Sequence, residues 1–442
     1  IGTHNDTLVA YSNMALANHH LGKLNLACEE YEKAIELAGD QFGEKNRAIP
    51  LLLGNYGELK VQMGDFDGGL DMLHKAEKAY IFVYGPNHPD QAKTINSIAL
   101  ALSKKGEMTK AIKNQERALV IMKEVYGEDS IDAATSYNNL GHYYCSMENV
   151  SEGMPYYEKA LKICKTIVGE KHPIYGRTLN NIALAYAKQG DTQNALINYK
   201  AAAAIYEEKM NDGQFDTVTI LMNLGAIQVE VGELDEAITT LKKAKALTAK
   251  GDMPDKDVMV VNIAFEIAKT YWNDQRFDEA IAAYKNIWEE NEFTSNTTIQ
   301  EAMAHYNLGV LYQSKQDYKS AVQSYKKSME MRKSVLGLNH YDTALASNNL
   351  GLMMYNSGDI EGALAQHKHT IDLHETNGRT VEVALSYYNY GLALFKADKL
   401  KESLLFLEKA YDIWVQHLGP EETKTKSAQN SIAFVKEKLN II

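Results

Sequence analysis

One small residue recurs at a near-constant interval along the whole chain, and no other feature of the sequence limits the fold so strongly. Ala15, Gly57, Ala99, Gly141, Ala183, Gly225, Ala268, Gly309, Gly351, Gly391 and Ala433 lie 42 residues apart, with steps of 43, 41 and 40 around the seventh, eighth and tenth units. We call this the pivot residue. Seven residues after it comes a turn: Gly22-Lys23, Gly64-Asp65, Gly106-Glu107, Gly190-Asp191, Gly232-Glu233 and Gly358-Asp359. Five further on sits a second small residue (Ala27, Gly69, Ala111, Gly153, Ala195, Ala237, Ala280, Ala321, Ala363), and seven later a third (Ala34, Ala76, Ala118, Ala160, Ala202, Ala244, Ala410). A fixed period of this length marks a repeat array, in which each unit buries its apolar face only against its neighbours.

Each position in the repeat has a physical reading. A turn glycine tolerates the left-handed conformation that closes a first helix. Small residues on both helices let antiparallel backbones approach closely. Ala111, Ile112, Gln115, Ala118, Leu119 and Met122 keep the apolar spacing of a second helix. Loops marked by Gly85-Pro86-Asn87-His88-Pro89, Gly169 to His172-Pro173 and Gly337 to His340 separate successive units, since proline disfavours helix at the residue before it. The spacing predicts an all-α α-solenoid of about ten helical hairpins in one continuous domain over 1–442. The expected units are 1–46, 47–88, 89–130, 131–172, 173–214, 215–256, 257–299, 300–341, 342–382 and 383–424, with a capping helix over 427–439.

A length of 442 residues exceeds one ordinary core, which suits an array. With 45% apolar and 24% charged residues and only 7 prolines, the composition is that of an ordered soluble protein. No run approaches the roughly 18 apolar residues of a membrane helix. Cys28, Cys145 and Cys164 show no C-x-x-C pairing, so a reducing, cytoplasmic setting is expected. A net charge of −12 argues against nucleic acid as the ligand. Residues 86–210 hold 15 basic and 14 acidic residues, whereas 211–310 hold 8 and 17. The chain opens on Ile1, and it is expected to be a fragment of a longer protein.

The stretch Thr178-Leu-Asn-Asn-Ile-Ala-Leu-Ala-Tyr-Ala-Lys-Gln-Gly190 resembles a kinesin light chain unit. The chain as a whole resembles the tetratricopeptide repeats of kinesin light chains and nephrocystin-like proteins. That resemblance implies a right-handed superhelix serving as a non-enzymatic, peptide-binding scaffold, possessed of protein partners and a cytoskeletal or ciliary association. Two departures stand out: the units outnumber those of a light chain, and residues 1–442 contain no heptad coiled coil. Gln275 and Asp398 also replace the turn glycine, marking degraded units. Long repeats of this kind also form sensing arms of STAND-type signalling NTPases, which is the alternative reading.

Catalytic and cofactor signals are lacking, and neither enzyme activity nor a cofactor is expected. The stretch nearest to a phosphate loop, Gly39 to Lys45, has the wrong spacing. His367, His369 and His374 form the densest histidine group and read as a solvated polar face, because no Cys or carboxylate lies at coordinating spacing. Cys145 reads as a small apolar filler. The pairs Glu207-Glu208 and Glu289-Glu290 read as solvated surface.

By the resemblance, first helices line a concave groove, and three residues before the pivot is a groove position. Asparagine stands there in four units, as Asn96, Asn138, Asn180 and Asn348, and an amide can both donate to and accept from a peptide backbone. The neighbouring Asn55, Asn139, Asn181, Asn223, Asn307 and Asn349 read as glue between helices. Lys93, Lys104, Arg177 and Lys188 add cations to this candidate groove, suited to acidic segments with an aromatic anchor; ordinary solvated lysines are the plain alternative. Later units place Phe265, Trp272, Tyr306, Tyr355, Tyr388 and Phe395 inward, as a second, aromatic groove or as core packing. No carboxylate clamp of the chaperone-binding kind is present, because no Asn follows the pivot in any unit.

Overall fold

The computed structural model describes residues 2–42, 46–208, 214–251, 256–289, 298–338, 340–376 and 380–441, which form twenty-one helices and no strand. Residues 43–45 of the glycine-containing stretch and Glu290 lie outside them. The chain divides into two units, Ile1–Glu233 and Leu234–Ile442, with the boundary at the turn inside the sixth expected hairpin.

The first unit holds α1 (Gly2–His20), α2 (Leu24–Phe42), α3 (Ile49–Gln62), α4 (Phe66–Tyr84), α5 (Pro89–Lys104), α6 (Met108–Tyr126), α7 (Ile131–Ser146), α8 (Val150–Ile167), α9 (Pro173–Lys188), α10 (Thr192–Glu208) and α11 (Gln214–Glu230). The second holds α12 (Leu234–Lys250), α13 (Lys256–Asn273), α14 (Phe277–Glu289), α15 (Thr298–Ser314), α16 (Tyr318–Leu336), α17 (Tyr341–Ser357), α18 (Ile360–Thr376), α19 (Thr380–Lys396), α20 (Leu400–Leu418) and α21 (Thr423–Lys438). Within each unit a helix packs on the next one along the chain, and first helices of successive hairpins also touch, as α7 does α9 and α17 does α19. The closing helix α21 starts four residues earlier than expected, at Thr423.

The hairpins with pivots Gly57, Gly141, Gly309, Gly351 and Gly391 close on that residue. A Cβ added to Gly141 would lie 2.7 Å from Tyr157 Cδ1, and one added to Gly153 would lie 2.8 Å from the Gly141 carbonyl oxygen. The two helices therefore meet backbone to backbone, with a bulky side chain filling the space beside the contact. The same register, sixteen residues after the pivot, holds Leu73 against Gly57, Tyr325 against Gly309, His367 against Gly351 and Leu407 against Gly391. The alanine members of the three small series are fully buried in the hairpins, whereas Ala433 on the closing helix α21 is exposed. Where the series lapse, hydroxyls take over. Ser403 donates to the Gly391 carbonyl at 2.7 Å, Ser328 donates to the Ala302 carbonyl at 2.6 Å, and Thr370 bonds Ser347 at 2.7 Å. Such residues stay small while satisfying an otherwise stranded polar atom.

Both ends of the turns are specified. The glycine takes positive φ, as at Gly358 (91°), and the residue after it caps the next helix: Asp65 accepts from the Gly68 N–H and Asp359 from the Gly362 N–H, each at 2.9 Å. Gln275 and Asp398 do not mark degraded units. They hold the same left-handed conformation, φ 59° and 62°, as do Glu148 and Gln316. Between hairpins, His88, His172 and His340 are N-caps whose Nδ1 accepts from the backbone N–H two residues on, at 3.2–3.3 Å. Proline after His88 and His172 occupies the first helical position, where no N–H is needed.

His367 corrects the expected solvated histidine face: it is fully buried in the crossing register, and His374 is 4% exposed, leaving only His369 outside. Burial holds the His367 imidazole near about 4, well under its usual 6.5. Burial first, and Lys327 second, hold His305 near about 4 as well. The folded chain thus binds fewer protons than the unfolded chain between these values. Stability is fully present above pH 6.5 and falls as pH drops toward 4, by on the order of 3 kcal/mol for His367 alone. Chemical denaturation at stepped pH should show this slope, and His367→Leu, which installs the residue found at Leu73 and Leu407, should flatten it. Gly141→Leu should overpack the crossing against Tyr157 and cost about 1–3 kcal/mol in the same assay.

Candidate functional site

In the first unit the expected groove residues lie on the first helices α5, α7 and α9. Lys93, Lys104, Arg177 and Lys188 are exposed, and Asn96 and Asn180 are half-buried. Lys93 is held by Asp90 at 3.0 Å. Among the described residues, Lys104, Arg177 and Lys188 have no ion pair. The charge of Lys188 is felt by His142 on α7, whose imidazole is kept below its ordinary range first by burial and then by that lysine.

Asparagines join these helices. Asn181 donates to Asn138 Oδ1 at 3.1 Å, and Asn223 donates to Asn180 Oδ1 at 3.2 Å. The ladder recurs in the second unit, where Asn389 donates to Asn348 at 3.3 Å and Asn349 donates to the Tyr306 hydroxyl at 2.9 Å. Asn96 differs in accepting from Gln115 within its own hairpin, at 2.6 Å. Asn138 and Asn348 are buried, at 3% and 4% exposure. Their amides serve the seam between repeats, whereas Asn96 and Asn180 are half-buried. The two asparagine registers are adjacent on the helix, so spacing alone did not separate seam from groove.

The six inward aromatic residues of the second unit are all half-buried. Phe265 meets Tyr284 edge-on at 5.6 Å, and Tyr306 meets Tyr325 at 5.4 Å while Arg332 stacks on its ring at 4.7 Å. Tyr388 packs on Trp414 at 5.4 Å, and Phe395 on Phe434 at 5.5 Å. Four of the six rings thus have partners inside the solenoid, which is how amphipathic aromatics stabilise a helix pair. Trp272 and Tyr355 have no such ring partner among the described residues. A cavity of about 250 Å3 opens between α17 and α19, walled by Leu345, Val381 and Leu385, floored by Trp414, and carrying Glu382 and Lys424 at its edge. Sequence reading missed this cavity, although Trp414 occupies the position that His374 holds one unit earlier.

No metal-holding group of His, Cys, Asp or Glu occurs among the described residues. Cys145 and Cys164 are buried, and burial pushes both thiols above their usual range, away from the reactive thiolate. Lys171 pairs with Glu208 at 2.7 Å. No helix of the described residues is long and apolar enough to cross a membrane.

A chain of antiparallel hairpins pivoting on paired small residues, with glycine turns and an asparagine seam, is a tetratricopeptide array. A family model described as Tetratricopeptide repeat matches residues 47–124, 90–152, 132–208 and 300–376. Further tetratricopeptide models match 8–41, 265–331 and 383–421. The chain belongs to the tetratricopeptide repeat family, whose arrays are protein-interaction scaffolds. It is similar to the clustered mitochondria protein homolog of Candida albicans, at 27% identity over 134 residues, covering 30% of this chain and 10% of that protein. The homolog of Emericella nidulans is 23% identical over 193 residues, covering 41% of this chain and 16% of that protein. Matched regions thus span a small part of these relatives. A solved structure, BtubC (BKLC) from P. vanneervenii, is similar at 23% identity with a TM-score of 0.42, covering 53% of this chain and 92% of that one.

Asn138→Ala should strand the Asn181 amide in the seam and lower stability by about 1–3 kcal/mol, read as a shifted urea midpoint.

Proposed function

We propose that this chain is a non-enzymatic scaffold that holds an extended peptide segment of a partner protein along the first helices of its first unit. The supporting observation is that Lys104, Arg177 and Lys188 are exposed without an ion pair among the described residues, beside the half-buried amides of Asn96 and Asn180. The Oδ1 atoms of Asn96 and Asn180 accept from Gln115 and Asn223, which leaves their NH2 groups to donate to a peptide carbonyl whatever its side chains. The unpaired cations favour acidic side chains around an apolar or aromatic anchor. Lys93, already neutralised by Asp90, contributes less. Asn138 supports the site by joining α7 to α9.

This is an adaptor role of the kind the kinesin light chain resemblance implies. A cytoplasmic place of action goes with it. The relatives' names associate those proteins with mitochondria, and we favour work at or near that organelle over a cytoskeletal or ciliary setting. No observation favours the alternative of a signalling NTPase arm.

The test is an anisotropy titration of an acidic, tryptophan-containing peptide. Reversing two groove charges in Lys104→Glu/Lys188→Glu should weaken binding by on the order of 1–2 kcal/mol, roughly tenfold. Unchanged affinity in a variant with the parent melting curve would remove the site from these helices.

A further inference from the structure

One register of the second helices changes sign along the chain. Seventeen residues after the pivot the first four units carry Glu32, His74, Glu116 and Glu158, the next five carry Lys200, Lys242, Lys285, Lys326 and Lys368, and the tenth returns to Glu408. In the second unit this register lies on α12, α14, α16 and α18, and all four of its lysines are exposed. Helix α16 is especially basic, with five cations against the single carboxylate of Glu330, on a chain whose net charge is −12.

These lysines border two consecutive furrows. The first, of about 280 Å3, runs between α12 and α14 over Ala264 and Ile267 of α13. Beside it Lys242 Nζ donates to the Tyr271 hydroxyl at 2.9 Å. The second, of about 490 Å3, runs between α14 and α16 over Leu308 and the buried His305 of α15. Lys285 sits there 5.8 Å from the Tyr312 ring centroid, facing Lys326 and Lys327 across the furrow. Among the described residues, Lys285, Lys326 and Lys327 make no direct ion pair, although the charge of Lys327 reaches Glu301 and His305 of α15. The acids at the start of α14 are already engaged elsewhere, Asp278 by Lys315 and Glu279 by Arg276 at 3.0 Å. The second furrow thus carries Lys285, Lys326 and Lys327 against the single lining carboxylate of Glu330, with Leu308 in its floor.

We propose that this exposed face of α12, α14 and α16 is a second docking surface, separate from the first-helix groove, for an extended acidic polypeptide whose apolar side chains enter the furrows. Glu279 and Glu330 also line them. Those carboxylates would lie against a continuous polyphosphate, whereas a peptide can space its charges to avoid them. This selects a polypeptide over a nucleic acid.

The probe is a fluorescein-labelled peptide of repeated Glu-Leu-Glu-Gly, without tryptophan, titrated into the full chain. Lys285→Glu/Lys326→Glu/Lys327→Glu should weaken binding by about tenfold or more, since several exposed charge pairs are reversed together. The glutamine triple variant, which removes charge without adding repulsion, should show a smaller loss and guards against misfolding of the first. Lys75→Glu/Lys78→Glu, on the exposed face of α4 in the first unit, should bind the probe as the parent does. Parent-like affinity in both triple variants, or equal loss in the first-unit variant, would overturn the proposal. So would displacement of the probe by an oligouridylate that itself loses affinity in the glutamine variant, because the surface would then be one for nucleic acid.

Discussion

The hairpins of Gly57 and Gly141 depend on one crossing, where the pivot of the first helix meets the second small residue backbone to backbone and a bulky side chain sixteen residues on closes the gap. Those of Gly309, Gly351 and Gly391 keep a bulky residue in the same register. At van der Waals contact every added carbon must displace something, so the crossing tolerates only exchanges that keep its volume. Tyr157, Leu73, Tyr325, His367 and Leu407 are alternative solutions to one packing problem. The turn, the caps and the seam follow from that contact, because fixing two helices at this distance sets where the chain must reverse and which side chains face the next hairpin.

Much of this was legible beforehand, since a long period of small residues has few other physical explanations. The turns show where such reading stops. Gln275 and Asp398 looked like lost glycines, yet the helices on either side impose the left-handed turn regardless of the residue that occupies it. His367 looked solvated because a histidine was weighed by its type; counted from its pivot it falls in line with Tyr157 and Tyr325, and is buried with them. The asparagines were harder. Asn138 and Asn139 are neighbours on one helix, and it is the packing of α7 on α9 that turns Asn138 to the seam, where it bonds Asn181.

A division of labour follows within the repeat. Residues that fix neighbour to neighbour are buried amides, as in the Asn389–Asn348 bond, and their loss reads out as instability. Exposed cations at fixed registers are free to vary without disturbing the crossing. A solenoid can therefore change its surface charge unit by unit, as the switch from Glu158 to Lys200 illustrates, while its scaffold stays constant.

The four turns closed by side-chain-bearing residues carry a further consequence. A left-handed residue other than glycine costs about 1–2 kcal/mol, and Gln275, Gln316 and Asp398 all fall in the second unit against Glu148 alone in the first. In an array held together by nearest-neighbour contacts, such costs are not averaged over the whole molecule but are felt by the hairpin that bears them. Amide protons beside those turns should exchange with solvent sooner than their counterparts at glycine turns. The array is then graded in local opening energy, with its loosest joints concentrated in the second unit.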